Sequence, residues 1–253
     1  MPISEIDPVL ETRELSKRFG SVQAVDNVSI AFEKDRFTSI IGPNGAGKTT
    51  FFNLLTGNLK PTGGSVRYMG EDITGSEPFE IADRGIARSF QTSNVFSGLT
   101  VRENIRIGIQ QAREWYQFWK PLSAFPGTLE SVDQILELVQ LSDHRDKNAE
   151  DLSHADQRLL EVAISLSINP EVLLLDEPTA GMSREETDHI IDLLKQQVFP
   201  EVDLVVMIEH DMDVVMNHSD RTIVLHNGGV LVDGNPREVE QNEEVQRVYL
   251  GET

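Results

Sequence analysis

The segment Gly42-Pro43-Asn44-Gly45-Ala46-Gly47-Lys48-Thr49 combines residue types and spacing that point to a single chemistry. Glycine, four residues, then glycine, lysine and a hydroxyl side chain is the pattern of a phosphate-binding loop. Successive backbone N–H groups can turn inward around an anion only where side chains leave room, which Gly42, Gly45 and Gly47 permit. Residues 48–55 read as a helix, whose positive N-terminal end would face the same anion. Lys48 adds a full positive charge for the β- and γ-phosphates of a nucleotide, and the Thr49 hydroxyl can ligate Mg²⁺. A buried strand at 37–41 leads into the loop. The expected ligand is a nucleoside triphosphate.

A second constellation follows the apolar run 172–175, which ends in Asp176-Glu177. A strand that delivers two acids to its C-terminal tip places them at the ligand-binding edge of a parallel sheet. Neighbouring residues on a strand point to opposite sides, so the two acids need not share one task. Asp176 can hold Mg²⁺ through water, and Glu177 can align and polarise an attacking water. A lone Asp-Glu is commonly a solvated strand end; the phosphate loop elsewhere in the chain favours the chemical reading.

These residues need a frame. Short strand-like runs cover 10–19, 22–32 and 65–69, with Gly63-Gly64 as a turn. Apolar spacing predicts helices over 100–111, 129–139 and 156–166. The stretch 115–127, with Pro121, Pro126 and both tryptophans, reads as irregular. Its aromatics Trp115, Tyr116, Phe118 and Trp119 suit local packing better than contact with a membrane or partner. The last third alternates: strand 172–175, helix 183–198, strand 204–208, helix 211–217, strand 222–225, and a turn at 227–229. Continuous apolar strands alternating with helices indicate a parallel α/β sheet, with the helical middle as an inserted subdomain.

Composition narrows the classes. The 253 residues contain no cysteine, so disulfides and thiolate metal sites are excluded. No apolar stretch is long enough to cross a bilayer, and residues 1–10 lack a secretory layout, so the chain is expected inside the cell. A formal charge of −20 disfavours nucleic-acid binding. With lysine limited to Lys17, Lys34, Lys48, Lys60, Lys120, Lys147 and Lys195, that acidity is open to two readings. One is an ordinary solvated surface; the other is adaptation to high salt, which screens carboxylate repulsion.

Taken together, the chain resembles the nucleotide-binding subunit of an ABC transporter. Gly42 to Thr49, with Thr50 beside it, would be the Walker A segment, and Leu173 to Asp176 followed by Glu177 the Walker B. Gln91 in Ser-Phe-Gln-Thr resembles the Q-loop glutamine, a metal and nucleotide sensor, and His210 in Ile-Glu-His-Asp the switch histidine that contacts the γ-phosphate. Phe19 lies where the family stacks an aromatic on adenine, although a phenylalanine after a strand is also a common core residue. Leu152-Ser153 with Gln157-Arg158 lines up with the signature segment, and Leu152-Ser153-His154-Ala155-Asp156 stands where the family usually reads Leu-Ser-Gly-Gly-Gln. Ser153 with Asp156 three residues on looks like a helix cap, whose free hydroxyl suits the γ-phosphate of ATP held by an opposite subunit. Ala155 departs from the pattern, and its methyl is expected to crowd the phosphate or strain the backbone. Ser183 replaces the aspartate many relatives carry.

The resemblance implies an α/β fold: a RecA-like P-loop NTPase core, an N-terminal antiparallel β subdomain and an inserted α-helical subdomain. It implies one ABC ATPase domain over 1–253, with the core at about 9–92 and 170–253 and the helical part at about 93–169. Thr49, Gln91 and Asp176 would hold Mg²⁺; Glu177, His210 and Gln91 would serve hydrolysis of ATP. Implied partners are a second ATPase subunit (a copy or a paralogue), transmembrane permease subunits and, indirectly, an extracytoplasmic binding protein, at the cytoplasmic face of the membrane. Arg84 to Gln91, Asn94-Val-Phe96, Leu99 to Asn104, Glu177 to Met182 and Val248 to Gly251 resemble ATPases of branched-chain amino-acid importers. Urea or short-amide importers and lipopolysaccharide exporters share parts of this pattern. A soluble, non-transport ABC protein is the reading from another class, and a degenerate subunit that binds ATP structurally is a third.

Overall fold

A computed structural model describes residues 8–89, 95–113 and 128–250. They fall into two units, residues 1–81 with 203–253, and residues 82–202.

In the first unit, β1 (Leu10–Phe19) and β2 (Val22–Phe32) form an antiparallel hairpin, and β4 (Gly63–Tyr68) pairs with the other edge of β1. The two-residue β5 (Glu71–Asp72) completes a sheet in the order β2-β1-β4-β5. Leu10, Leu15, Val28, Ile30 and Phe32 are buried while many of their neighbours along the strands are exposed, the alternation expected of a sheet with one wet face. A second group of strands is centred on β3 (Arg36–Ile41), parallel to β8 (Leu204–Ile208) on one side and to β9 (Arg221–His226) on the other. Its antiparallel edge is β10 (Gly229–Gly234). β8 is buried along its whole length, as a continuous apolar run between covered faces should be. Helices α1 (Lys48–Leu55), α7 (Met212–His218), α8 (Pro236–Glu240) and α9 (Glu243–Leu250) belong to this unit. Ile41, Val215, Val224, Val239 and Val245 form one buried cluster, with Leu231 and Tyr249 packed against it.

The chain passes to the second unit within α2 (Pro78–Asp83). There β6 (Ile86–Arg88) pairs in parallel with β7 (Val172–Asp176). Helices α3 (Val101–Arg113), α4 (Thr128–Leu138), α5 (His154–Leu166) and α6 (Arg184–Leu193) make up most of the rest. The helix read over 183–198 is present, as α6 followed by a π turn over 194–198. α3 starts on a reciprocal cap, with the Thr100 N–H and hydroxyl both donating to Glu103 Oε2. Buried Asn104 accepts from the Phe96 N–H and donates to the Phe96, Leu99 and Thr100 carbonyls. That knot holds Phe96 out, 53% exposed. The aromatic cluster at 115–119 lies outside the described residues.

Candidate functional site

The strand–loop–helix predicted around Gly42 is present, and its hydrogen bonds explain its shape. The Ala46 N–H donates to the Pro43 carbonyl at 3.1 Å, closing the bend, and the Phe51 N–H donates to the Gly47 carbonyl at 2.8 Å as α1 begins. Two of the glycines are obligatory for packing. A Cβ on Gly42 would stand 2.2 Å from the Leu225 carbonyl oxygen, and one on Gly47, at φ 101°, 2.3 Å from that of Ala24. α1 has Gly47 at its N-cap, no capping side chain and no acid in its first turn. Its leading amides are therefore left to an anion, which is how helices receive phosphate. The Lys48 ammonium turns back over the loop, donating to the carbonyls of Gly42 at 2.6 Å and Pro43 at 3.2 Å, with its side chain buried.

Sequence reasoning did not find what props this loop. The turn between β9 and β10 reaches it: the Gly228 N–H donates to the Ala46 carbonyl at 3.1 Å, and the Asp26 N–H of β2 donates to the Gly228 carbonyl at 2.8 Å. From α9, Tyr249 packs on the cluster that contains Ile41, and the Gly42 N–H faces its phenol oxygen without closing a full hydrogen bond. Burial pushes the Tyr249 phenol up from its ordinary 10 to about 12, against the smaller opposing pull of that N–H. Because the folded state holds this proton more tightly, the associated stability is fully present below pH 10 and is lost as the pH climbs toward 12. Tyr249→Phe should therefore show a shallower fall in melting temperature than wild type across that alkaline window, read by thermal denaturation at stepped pH.

Two further predicted residues lie in the same unit. Phe19, at the end of β1, is 47% exposed rather than core, with Lys17 Nζ 5.2 Å from its ring centroid. It sits on the hairpin whose Ala24 carbonyl abuts Gly47, so an aromatic face is offered beside the loop. His210 follows β8 and is exposed. The Glu209 N–H donates to the Ile40 carbonyl at 3.2 Å, so His210 leaves the sheet at the edge where β3 gives way to Gly42.

In the second unit, β7 delivers Asp176 fully buried, and the chain then turns at Glu177 with φ 51°. The two acids therefore do not alternate on a strand as adjacency suggests. Glu177 stands past the strand end in a left-handed conformation that is unfavourable for a non-glycine residue. Asp176 Oδ2 accepts from Arg88 Nη2 at 2.5 Å, while Oδ1 is buried and meets no donor among the described residues. Gln91 lies outside the described residues.

The signature segment forms the start of α5 with Ser153 as N-cap. Its hydroxyl is not free as predicted: it accepts from the Asp156 N–H at 3.1 Å and donates to Asp156 Oδ2 at 2.8 Å. Asp156, where the family usually has glutamine, closes the cap on itself. Ala155 introduces no backbone strain: it lies in the first turn of α5 and is not among the residues with positive φ. His154 is exposed and approaches Gly181, within 3.7 Å of where a Cβ there would stand, and the Gln157 amide folds back to the Ala149 and Leu152 carbonyls. Ser183 earns its position as the N-cap of α6, in a full capping box with Glu186.

Magnesium would be the metal here, and the donor chemistry fits it. No cluster of three or more His, Cys, Asp or Glu able to hold a metal occurs among the described residues. The buried Asp176 Oδ1, which meets no donor among the described residues, would suit a hard cation that takes its other ligands from hydroxyl, water and phosphate oxygens.

An antiparallel sheet, a parallel sheet, and a glycine loop opening a lysine-led helix are the build of the P-loop nucleoside triphosphatase class. More narrowly, the chain belongs to the ABC transporter family, whose model matches residues 25–180. It is 38% identical over 252 residues to the high-affinity branched-chain amino acid transport ATP-binding protein BraF of Pseudomonas aeruginosa, covering 97% of this chain and 98% of that one. It is 34% identical over 258 residues to a probable branched-chain amino acid transport ATP-binding protein, LivG, of Methanocaldococcus jannaschii, covering 96% and 98%. The fold is that of the ABC ATPase cassettes. A crystal structure of MJ1267, an ATP-binding cassette of an ABC transporter, matches with a TM-score of 0.87 at 34% identity, over 96% of this chain and 98% of that one. No helix among the described residues is long and apolar enough to cross a membrane.

Proposed function

We propose that this chain is the ATP-binding and ATP-hydrolysing subunit of an importer for branched-chain or other hydrophobic amino acids. The observation that carries the reading is the cradle at 42–49, in which uncapped helix amides and a buried ammonium converge where a polyphosphate would lie. In this reading Pro43, Asn44, Gly45, Ala46, Gly47, Lys48, Thr49 and Thr50 wrap the phosphates and Phe19 stacks on the base. Thr49 and Asp176, with Gln91, would hold magnesium, which would supply positive charge against the β- and γ-phosphates. Glu177 takes the proton of a water whose oxygen attacks the γ-phosphorus. The bond to the bridging oxygen breaks, ADP leaves with that electron pair, and His210 contacts the γ-phosphate.

Two subunits close face to face, and Ser153 meets the ATP held by the opposite one. To do so its hydroxyl must exchange its bond to Asp156 for a phosphate oxygen, which the dianionic end of ATP can drive. ATP thus acts as a ligand of the closed pair. The exposed Phe96, fixed from behind by Asn104, suits the landing place of a permease loop. The relatives named for branched-chain amino-acid transport support the cargo class.

The test is reconstitution with the co-encoded permeases in liposomes. Magnesium-dependent ATP hydrolysis should drive uptake of radiolabelled leucine, isoleucine or valine in the presence of the matching binding protein. Uptake of urea instead would move the chain to the short-amide importers. An active ATPase that never co-purifies with a membrane partner would favour a soluble ABC protein.

A further inference from the structure

Within Arg84-Gly-Ile-Ala-Arg88-Ser-Phe-Gln91, a segment that resembles one branch of the family, Arg88 is the residue that meets Asp176. Its place is defined by the sheet. Arg88 on β6 pairs with Leu174 on β7, and because side chains alternate, Leu174 and Asp176 share a face. The guanidinium therefore reaches one step along β7 to the Asp176 carboxylate, with only 7% and 0% of the two side chains exposed. The next residue fixes the backbone on the same spot. The Ser89 N–H donates to the Leu174 carbonyl at 2.9 Å, and the Asp176 N–H donates to the Ser89 hydroxyl at 3.3 Å.

The detail that matters is which oxygen Arg88 takes. An arginine paired with a carboxylate for stability alone can use its fork on both oxygens. Here Nη2 bonds Oδ2, and Oδ1 remains buried with no donor among the described residues. A buried anionic oxygen left unpaired is costly, so its retention points to a ligand that supplies the missing contact. A carboxylate tethered at one oxygen cannot rotate to exchange its two oxygens, so the tether selects the one presented.

The geometry points to Arg88 as a positioning residue for magnesium. By holding Oδ2 it orients the Asp176 carboxylate so that Oδ1 faces the water shell of the ion, and its charge offsets the burial of the acid. This role rests on the proposed reading of Asp176 as the metal-holding residue, and it adds the group that aims it. Partners one shell out from a metal typically change its affinity by roughly ten- to a hundred-fold.

The experiment follows ATP-induced thermal stabilisation of the full chain, with no turnover measured, while Mg²⁺ is titrated from EDTA upward. In Arg88→Gln the Mg²⁺ concentration for half-maximal stabilisation should rise about ten- to a hundred-fold. ATP affinity in EDTA should stay at the wild-type value. Arg88→Lys keeps the charge as a point contact without the planar fork and should recover part of the loss. A variant that melts earlier yet keeps the wild-type Mg²⁺ midpoint would overturn the role and leave a structural ion pair. If Arg88→Gln does not fold, Arg88→Lys decides alone: a raised midpoint supports the role, an unchanged one overturns it. Absence of any Mg²⁺-dependent ATP stabilisation in wild type would instead bring down the nucleotide reading on which this role stands.

Discussion

Replacing Glu177 with glutamine should lower ATP hydrolysis by about 10²- to 10⁴-fold, the usual range for losing a general base, while leaving ATP binding intact. Glu177 follows a fully buried strand and turns the chain in a left-handed conformation at φ 51°. Holding a long side chain there opposes the steric preference of an L-residue, so the position is kept at a cost in stability of about 1–3 kcal/mol. Glutamine preserves the length, the conformation and much of the hydrogen bonding, and it removes only the ability to accept a proton from water. The variant should thus reach the closed, ATP-loaded pair and remain in it. Size-exclusion chromatography with light scattering should show a lasting dimer with Mg·ATP, and at most a transient one for wild type. A variant that turns over ATP at the wild-type rate as a monomer would show that another group activates the water.

That residue also illustrates where the sequence is legible and where it is not. The bounds of β1, β2, α1 and β8 can be read directly, because alternation, a glycine turn or an unbroken apolar run each signals its element locally. The acids at the tip of β7 are equally visible. Their relative direction is not, since a strand that stops at Asp176 and a turn that starts at Glu177 are one residue apart and leave no mark in composition. The free hydroxyl expected at Ser153 fails for a related reason: the residue that signals the cap, Asp156, also consumes the hydroxyl. Ala155 looks disruptive beside a glycine pattern, yet it lies in the first turn of α5 and is not among the residues with positive φ.

Long-range partners are the least legible. Arg88 and Asp176 lie 88 residues apart, and only the pairing of β6 with β7 reveals that they meet. The same holds for Gly228 and Tyr249 at the phosphate loop. β10, α8 and α9 are short and carry mixed polarity, so apolar spacing gives no warning of them. They matter because the loop's glycines forgo side-chain packing, and something else must define its path. Here the β9–β10 turn and the C-terminal helix define it. The contribution of that helix to the site is one that a local motif of eight residues cannot carry.

Lys48→Ala should weaken Mg·ATP binding by about a thousand-fold. Lys48 is a buried ammonium whose hydrogen bonds include neutral carbonyls, Gly42 at 2.6 Å and Pro43 at 3.2 Å. Two unit charges about 4 Å apart at an effective dielectric near 20 attract by about 4 kcal/mol. At about 1.4 kcal/mol per decade, losing that attraction costs about three decades in Kd. The carbonyls lose a donor as well, buried at Gly42 and part-buried at Pro43, so a modest fall in melting temperature should accompany the loss of binding. Lys48→Arg should fall between, because a planar fork cannot replace a point charge between two carbonyls and a phosphate. Calorimetric titration with Mg·ATP and with ADP separates the terms, since losing an ammonium that serves the β- and γ-phosphates should penalise ATP more than ADP. An alanine variant that binds Mg·ATP as tightly as wild type would mean that the Lys48 ammonium does not reach the phosphates.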